Sequence, residues 1–174
     1  MQKPILLLFS CLIIFSFSYV MPTNEELVWS GLKEISVKLK KQEKPVLIDL
    51  YTDWCHWCKV MDKKTYGNQK VINYLSKNFY VAKVNAETKD SLTWDTKTYF
   101  YNSHYLINEF ALYATKGQPG FPTTVILPSE NSQPISISGF LEPKELEPIL
   151  KYFGEREYLT KTFTEYKKTF KPSW

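Results

Sequence analysis

The chain has 174 residues, 44% of them hydrophobic, and a formal net charge of +4. This length is enough for one domain with a proper core, and the hydrophobic fraction argues against intrinsic disorder. Lysine supplies nearly all of the positive charge, because Arg156 is the only arginine. Nucleic-acid binders usually recognise phosphate with arginine, so we interpret the lysines as a solvated surface and expect no nucleic-acid partner.

Residues 1–20 differ in composition from the rest of the chain. Lys3 precedes an almost wholly apolar run that extends to Val20. This pattern is typical of a secretory signal peptide and is short for a membrane span. It predicts a removed segment 1–20, followed by a domain over residues 21–174 that functions in the periplasm or elsewhere outside the cytoplasm.

The processing of this segment has more than one interpretation. Small residues before the site predict cleavage after Ser18, whereas Cys11 follows a short apolar run that loosely resembles a lipoprotein site. Retention as an uncleaved anchor is the third alternative, and only retention or lipidation would place the protein at a membrane. After cleavage only Cys55 and Cys58 remain, which favours redox chemistry over a disulfide-stapled scaffold.

The first elements after the signal are a helix and a strand. Apolar residues at helical spacing predict a helix over 24–41, with Thr23 or Asn24 as its N-cap. Pro45 ends any helix and leads into residues 46–51. Because this segment begins with a continuous apolar run, we expect a strand that is covered on both faces.

A second helical region leads to a second strand. We predict helices over 55–64 and 69–77, the latter capped by Asn68, and an apolar strand over 79–84. The order strand, helix, strand is a βαβ unit. It predicts that the two strands are parallel and joined by a right-handed crossover.

An aromatic-rich insert follows over residues 86–102. Its strand-like runs on either side of a short polar turn predict a small hairpin. Its aromatic side chains would either pack the hairpin onto the domain or form a binding surface. We expect a helix over 104–115 next, beginning at Asn102 or Ser103 and ending at Gly117.

The remaining chain predicts an antiparallel strand pair and two helices. The strands lie at 124–127 and 135–138, separated by a turn. A helix opening at Pro143 contains Pro148, so we expect a kink or a late start. A C-terminal extension from about residue 155 predicts one amphipathic helix over 156–170.

Cys55 and Cys58 are separated by two residues and lie where a strand gives way to a helix. Thiols at this spacing can close a small disulfide or present one thiolate, which a helix N-terminus stabilises. This arrangement predicts Cys55 as the attacking thiolate and Cys58 as the resolving thiol. A zinc site would need further ligands, and a haem site would need histidine where Lys59 stands. An inert structural disulfide remains an alternative, and His104 is interpreted as a surface residue.

Side chains beside the cysteines are predicted to tune them. Protonated His56 would stabilise the Cys55 thiolate, although an exposed and passive histidine fits equally well. Trp54 and Trp57 would shield the thiolate or touch a substrate chain, and Lys59 adds a positive charge.

Two further positions complete the candidate site. Asp49, in the strand, is predicted to be buried with a raised pKa and to take the proton from Cys58, unless local N–H groups simply satisfy it. A cis bond before Pro122 would place this proline beside the cysteines and leave the Phe121 backbone free for a substrate strand. Thr123 is assigned to the same substrate-binding segment.

These pieces together resemble the thioredoxin superfamily. The segments that carry the resemblance are Val46 to Tyr51 before Trp54-Cys55-His56-Trp57-Cys58-Lys59, then Gly120-Phe121-Pro122-Thr123, then Gly139 before the last core helix. The chain looks most like secreted thioredoxin-like proteins and the soluble thiol domain of the bacterial transmembrane disulfide reductase. The resemblance implies an α/β thioredoxin fold with a mixed sheet of about four strands flanked by helices, a hairpin insert and an extra C-terminal helix.

The same resemblance implies an activity. It indicates a thiol-disulfide oxidoreductase that acts on protein disulfides through Cys55 and Cys58, with Asp49 as the base and Pro122 as the cis-proline. Reductase or isomerase is favoured over oxidase, no cofactor beyond the disulfide is expected, and an electron donor such as a membrane thiol-disulfide reductase is implied. The alternative is a thioredoxin-fold binding module whose cysteine pair is only structural.

Overall fold

A computed structural model describes residues 26–174 of the chain. The predicted signal segment with Ser18 and Cys11 lies outside the described residues, as do the cap candidates Thr23 and Asn24. The strands are β1 (Val46–Tyr51), β2 (Tyr80–Asn85), β3 (Leu92–Trp94), β4 (Lys97–Tyr99), β5 (Tyr101–Asn102), β6 (Ile107–Asn108), β7 (Thr123–Leu127) and β8 (Ile135–Ser138). The helices are α1 (Leu32–Leu39), α2 (His56–Met61), α3 (Gln69–Asn78), α4 (Glu109–Ala114), α5 (Pro143–Gly154) and α6 (Phe163–Thr169).

The centre of the fold is a four-stranded mixed sheet in the order β2-β1-β7-β8. β1 pairs with β2 in parallel and with β7 in antiparallel orientation, and β8 pairs antiparallel with β7. The predicted βαβ unit and the predicted final strand pair are therefore confirmed. β1 is buried along nearly its whole length, as its continuous apolar run predicts.

Side chains of β1 alternate between two hydrophobic layers. Val46, Ile48 and Leu50 belong to the core beneath α1 and α4, whereas Leu47 belongs to the core beneath α2, α3 and α5. By the same alternation Asp49 lies on the Leu47 face, the face that α2 covers. The sheet therefore places a carboxylate under the helix that carries the cysteines.

The first helix is shorter than predicted. Residues 26–31 are not helical, and α1 begins at Leu32 after an extended Gly31. The Ser30 N–H donates to the Val81 carbonyl at 2.9 Å, and Trp29 packs edge-on against Tyr66. Contacts with the rest of the domain thus override the helical spacing in this segment.

The predicted helix over 104–115 is also wrong at its start. The Asn102 side chain accepts from the N–H groups of His104 and Tyr105, so it closes a turn between β5 and β6 rather than opening a helix. α4 begins only at Glu109, where the Asn108 side chain accepts from the Phe110 N–H. A second small hairpin therefore replaces the first turns of the predicted helix.

The last two helices differ from their predictions as well. α5 begins at Pro143 and continues past Pro148, so the late start is wrong. The predicted single helix over 156–170 is interrupted, because Arg156 has a left-handed backbone and a 3₁₀ turn spans Glu157–Leu159. α6 starts after Thr162, whose hydroxyl accepts from the Glu165 N–H and sets a new N-terminus.

Candidate active site

Cys55 and Cys58 lie at the junction of β1 and α2, as predicted, and form a disulfide. Cys55 is the N-cap residue of α2, and its sulfur accepts a hydrogen bond from the Cys58 N–H at 3.1 Å. The Cys55 N–H donates to the Thr52 carbonyl at 3.2 Å, which fixes the turn that precedes the helix. Both cysteines are almost fully buried, with 4% and 3% of their surface exposed.

The Gly120–Thr123 segment lies beside the residue that precedes Cys55. The Phe121–Pro122 peptide bond is cis, and the Phe121 ring meets the Trp54 ring edge-on at 6.3 Å between centroids. The Thr123 hydroxyl donates to the Gly120 carbonyl at 2.7 Å, and the Gly139 N–H donates to the Pro122 carbonyl at 2.8 Å. These bonds fix the loop that enters β7 next to the disulfide.

Two indole rings lie next to the cysteines in sequence, Trp54 before Cys55 and Trp57 before Cys58, and both are more than half exposed. Trp54 is held by the contact with Phe121 and by a 2.8 Å hydrogen bond from its indole N–H to Glu87. Trp57 packs against Phe140 with ring centroids 5.6 Å apart. Each ring is therefore anchored at one side and open to solvent at the other.

The other predicted tuning residues are at the surface. His56 is exposed and meets the Trp57 ring edge-on at 5.8 Å, and Lys59 is exposed on α2. His104 is exposed in the turn after β5 and packs on Tyr105, in agreement with its interpretation as a surface residue.

Asp49 is buried on β1, and only 2% of its surface is exposed. Its Oδ2 atom accepts a hydrogen bond from the Lys83 ammonium at 3.0 Å, while Oδ1 has no partner within residues 26–174. Burial raises the pKa of the Asp49 carboxyl to about 6, against the opposing effect of Lys83. The carboxylate is therefore served by a lysine rather than by local N–H groups.

Sequence reasoning missed the partners of Asp49. Lys83 stands directly opposite Asp49 in the parallel register of β1 and β2, and it also bonds to Asp62 in the π-helical turn Asp62–Tyr66 that extends α2. A lysine within an apolar strand next to an aspartate-bearing strand was the available signal. The sequence held no such signal for Asp62, because this residue reaches Lys83 from the π-helical turn, which was not predicted.

The aromatic insert serves mainly as packing. Trp94 and Tyr99 are buried in the core beneath α1 and α4, and Tyr99 meets Phe110 edge-on at 5.4 Å. Phe100 remains largely exposed. The β3–β4 hairpin is thus confirmed, and the packing interpretation holds for its two buried rings.

Residues 26–174 offer neither a metal site nor a membrane-spanning helix. No group of three or more His, Cys, Asp or Glu side chains there is arranged to hold a metal ion. None of the helices in this range has the length and apolar character needed to cross a membrane.

The four-stranded mixed sheet, with a Cys-x-x-Cys disulfide at a helix start, defines a thioredoxin-fold protein. Residues 16–171 match the profile of a DsbH-type thioredoxin family described as "Protein of unknown function, DUF255". The match covers most of the chain, so the chain belongs to this family.

Individual relatives share parts of the chain. "Uncharacterized protein B0495.5" of Caenorhabditis elegans is 27% identical over 136 residues, which are 78% of this chain and 16% of that protein. "Thiol:disulfide interchange protein DsbD" of Pectobacterium atrosepticum is 38% identical over 48 residues, 28% of this chain and 8% of that protein. The chain thus spans less than a fifth of these two relatives.

A solved structure shows the same fold. "DsbH Oxidoreductase" superposes with a TM-score of 0.56 at 15% identity, covering 80% of this chain and 92% of the other. At this identity the superposition supports the thioredoxin fold.

Proposed function

We propose that this protein is a thiol-disulfide oxidoreductase that acts on protein disulfides, as a reductase or isomerase rather than an oxidase. The observation that carries the proposal is the Cys55–Cys58 disulfide at the start of α2, on the sheet face that also holds the buried Asp49. Relatives named as thiol-disulfide interchange proteins support the same class of chemistry. The direction of electron flow is taken from the family resemblance.

The two cysteines have different roles in this proposal. Their buried fractions are nearly equal, so the division rests on position in the helix. The Cys55 sulfur faces the Cys58 N–H at 3.1 Å and can keep this hydrogen bond as a thiolate, which lowers the energy of the anion. Cys55 is therefore the nucleophile, and Cys58 resolves the mixed disulfide.

The reaction transfers two electrons and two protons to the substrate. The Cys55 thiolate attacks one sulfur of a substrate disulfide, a mixed disulfide forms, and the first substrate sulfur leaves as a thiol after taking a proton. Cys58 then passes its proton to Asp49 and attacks Cys55. The Cys55–Cys58 bond forms and the second substrate sulfur leaves. An external dithiol donor must afterwards reduce the disulfide again.

The exposed aromatic side chains form the proposed substrate surface. Trp54 with Phe121 and Trp57 with Phe140 present apolar rings beside the disulfide. Pro122 and Thr123 belong to the loop next to Trp54, where an extended segment of the substrate can align. His56 and Lys59 are exposed on α2 and are proposed to adjust the potential of the cysteine pair.

We place this activity outside the cytoplasm, in the periplasm or at the membrane surface. The apolar segment 1–20 supports export, with lipidation at Cys11 or a retained anchor as alternatives. The proposed donor is a membrane-embedded thiol-disulfide reductase, in keeping with the similarity to DsbD.

Trapping tests the enzymatic proposal. With Cys58→Ala, proteins that present disulfides should remain covalently attached to Cys55 and be released by dithiothreitol, while Cys55→Ala serves as the matched control that traps nothing. The wild type should reduce insulin when supplied with a dithiol. Absence of both mixed disulfides and insulin reduction would exclude the proposal. A reduction potential measured against glutathione would then decide the direction.

One observation favours a second candidate, a thioredoxin-fold binding module with a structural disulfide. Both cysteines are almost completely buried, as in a disulfide that only stabilises a fold. In this case the disulfide should resist reduction by glutathione, and Cys55→Ala with Cys58→Ala should retain partner binding while losing stability.

A further inference from the structure

Three charged side chains lead from the interior of the sheet toward solvent. The Lys83 ammonium donates to Asp49 Oδ2 at 3.0 Å and also to Asp62 Oδ1. The exposed fraction of the side chain rises along this series, from 3% for Asp49 to 22% for Lys83 and 39% for Asp62. A single ammonium thus serves one buried and one accessible carboxylate.

The outer end of the series opens into a cavity of about 570 Å³. Among the described residues, its walls include Lys83 and Asp62 together with Trp29, Tyr66 and Glu26. Asp49 is not one of these lining residues. Solvent in the cavity therefore meets the lysine and the outer carboxylate, while Asp49 stays covered behind them.

The position of the Lys83 ammonium is confined by its neighbours. Its nitrogen lies 4.9 Å from the centre of the Tyr51 ring and 5.5 Å from that of Trp29. The two aromatic ring faces favour a cation at this position without neutralising it. The positive charge of Lys83 is therefore divided between the Asp49 and Asp62 carboxylates. A carboxylate that held the ammonium alone would be kept ionised more strongly.

We propose that Asp62 is a positioning residue for thiol-disulfide exchange, which shares the Lys83 ammonium with Asp49 and so leaves Asp49 free to accept and release a proton. This inference rests on the proposed function. It assigns Asp62 no contact with substrate or with the reacting sulfur atoms.

The proton balance of the step is simple. When Cys58 attacks Cys55, its proton moves to Asp49, the intramolecular disulfide forms, and the departing substrate sulfur keeps the electron pair of the broken bond. This sulfur takes a proton from solvent, and Asp49 later returns one to solvent. Asp62 and Lys83 take no part in this proton transfer, because their proposed role is to set the electrostatic field at Asp49.

Other titratable groups surround this series and belong in any test of its pH dependence. They come from the strand, the turn, the cavity wall and the cysteine helix: Tyr51, Tyr66, Glu26 and, once the disulfide is open, Cys58. Burial raises the pKa of Tyr66 well above its ordinary value, with a further contribution from Asp49, so this phenol stays neutral. The shared ammonium is thus the one cation bonded to Asp49 among residues 26–174.

The test is a carboxyl titration in the reduced, full chain. The pH midpoint of Asp49 is followed by ¹³C NMR and compared with the pH profile of insulin reduction. Asp62→Asn should lower both midpoints by about one pH unit, because Lys83 then serves Asp49 alone. Asp62→Glu, which keeps the charge, should restore them. Asp90→Asn, which neutralises an exposed acid after β2, is the matched control and should shift neither.

The same substitution in a variant that lacks Lys83 distinguishes sharing of the ammonium from direct repulsion between the Asp62 and Asp49 carboxylates. Lys83→Met should raise the Asp49 midpoint, and adding Asp62→Asn to it should cause less than half of the shift seen in the wild type. An unchanged midpoint in Asp62→Asn, or an equal shift without Lys83, would overturn the inference. An inactive wild type whose midpoint still responds to Asp62→Asn would overturn the proposed function instead, since the NMR titration does not depend on turnover.

Discussion

Two buried carboxylates are each paired with a lysine, one near the disulfide and one against the C-terminal extension (residues 155–174). Their pKa values are shifted in opposite directions. Asp49 accepts one hydrogen bond and leaves one oxygen without a partner among the described residues. Glu147 on α5 accepts from Lys151, from the backbone and hydroxyl of Ser173, and from the Trp174 N–H. Both residues have almost no exposed surface, 2% for Asp49 and 0% for Glu147, but their hydrogen bonding is very unequal.

The pKa values follow this difference. Burial raises the pKa of Asp49 to about 6, and Lys83 offsets only part of that effect. Burial also acts to raise the pKa of Glu147, but the hydrogen bonds from Lys151, Ser173 and Trp174 outweigh it and lower the pKa below its ordinary value. A fully bonded carboxylate stabilises a fold, whereas an under-bonded one is suited to exchange a proton.

The largest effect on stability is expected from Glu147. Glu147→Ala should lower the free energy of unfolding by about 3 kcal/mol, because it leaves Lys151 and the Ser173 and Trp174 N–H groups without their acceptor. Urea denaturation of the oxidised protein measures this loss. Glu43→Ala, which removes an exposed acid paired with Arg156, should change stability by less than about 0.5 kcal/mol. Equal losses in the two variants would contradict the comparison.

Substitution of Asp49 should change the free energy of unfolding in the opposite direction to substitution of Glu147. Its folded pKa of about 6 exceeds the ordinary value of 3.8, so ionisation costs stability once the pH rises above about 4, and this cost is complete above about pH 6. Asp49→Asn should therefore stabilise the protein at pH 7.5 by up to about 3 kcal/mol, while Lys83 retains Asp62.

Two measurements sharpen that expectation. Urea denaturation at pH 4 should show that the gain from Asp49→Asn has largely disappeared. Insulin reduction by the same variant should slow by roughly a hundredfold, because the proton acceptor is lost. Asp53→Asn, which alters an exposed acid near the cysteines, should not reproduce the pH-dependent gain. A variant that is less stable than the wild type at pH 7.5 would show that Asp49 is a structural acid like Glu147.

Most of the central sheet could be predicted because its signals are local. The buried strand 46–51, the Asn68 cap and the glycine-flanked strand pair depend on neighbours within a few residues, and tertiary contacts reinforce them. The prediction of the first helix was wrong at its start, because Gly31 and the contact between Ser30 and Val81 compete with the helical spacing of this segment. The prediction of a helix over 104–115 was wrong at its start, because an asparagine such as Asn102 can cap a turn as readily as a helix.

The two carboxylates show the same limit of prediction from sequence. Asp49 was predictable from its place before the cysteines, whereas its partner Lys83 was missed, because their pairing depends on the register between β1 and β2. Glu147 lies one helical turn before Lys151, and no motif in the sequence marks it as buried. Its burial depends on Ser173, which is 26 positions away in a segment without a motif. The thioredoxin resemblance implies a role for Asp49 and none for Glu147.

The smallest effect is expected from Ser173→Ala, which removes the hydroxyl that donates to Glu147 and a contact with Lys151. It should cost about 1 kcal/mol at neutral pH. Because hydrogen bonds hold the Glu147 pKa below its ordinary value, their contribution is present at neutral pH and is lost as the pH falls through that lowered pKa. The stability difference between wild type and Ser173→Ala should therefore shrink in acid, whereas the exposed control Ser103→Ala should show no such trend. Insulin reduction should be unchanged in both variants, because this carboxylate is bonded to the C-terminal extension and not to Lys83. Slower reduction in Ser173→Ala would mean that the two acid sites are coupled.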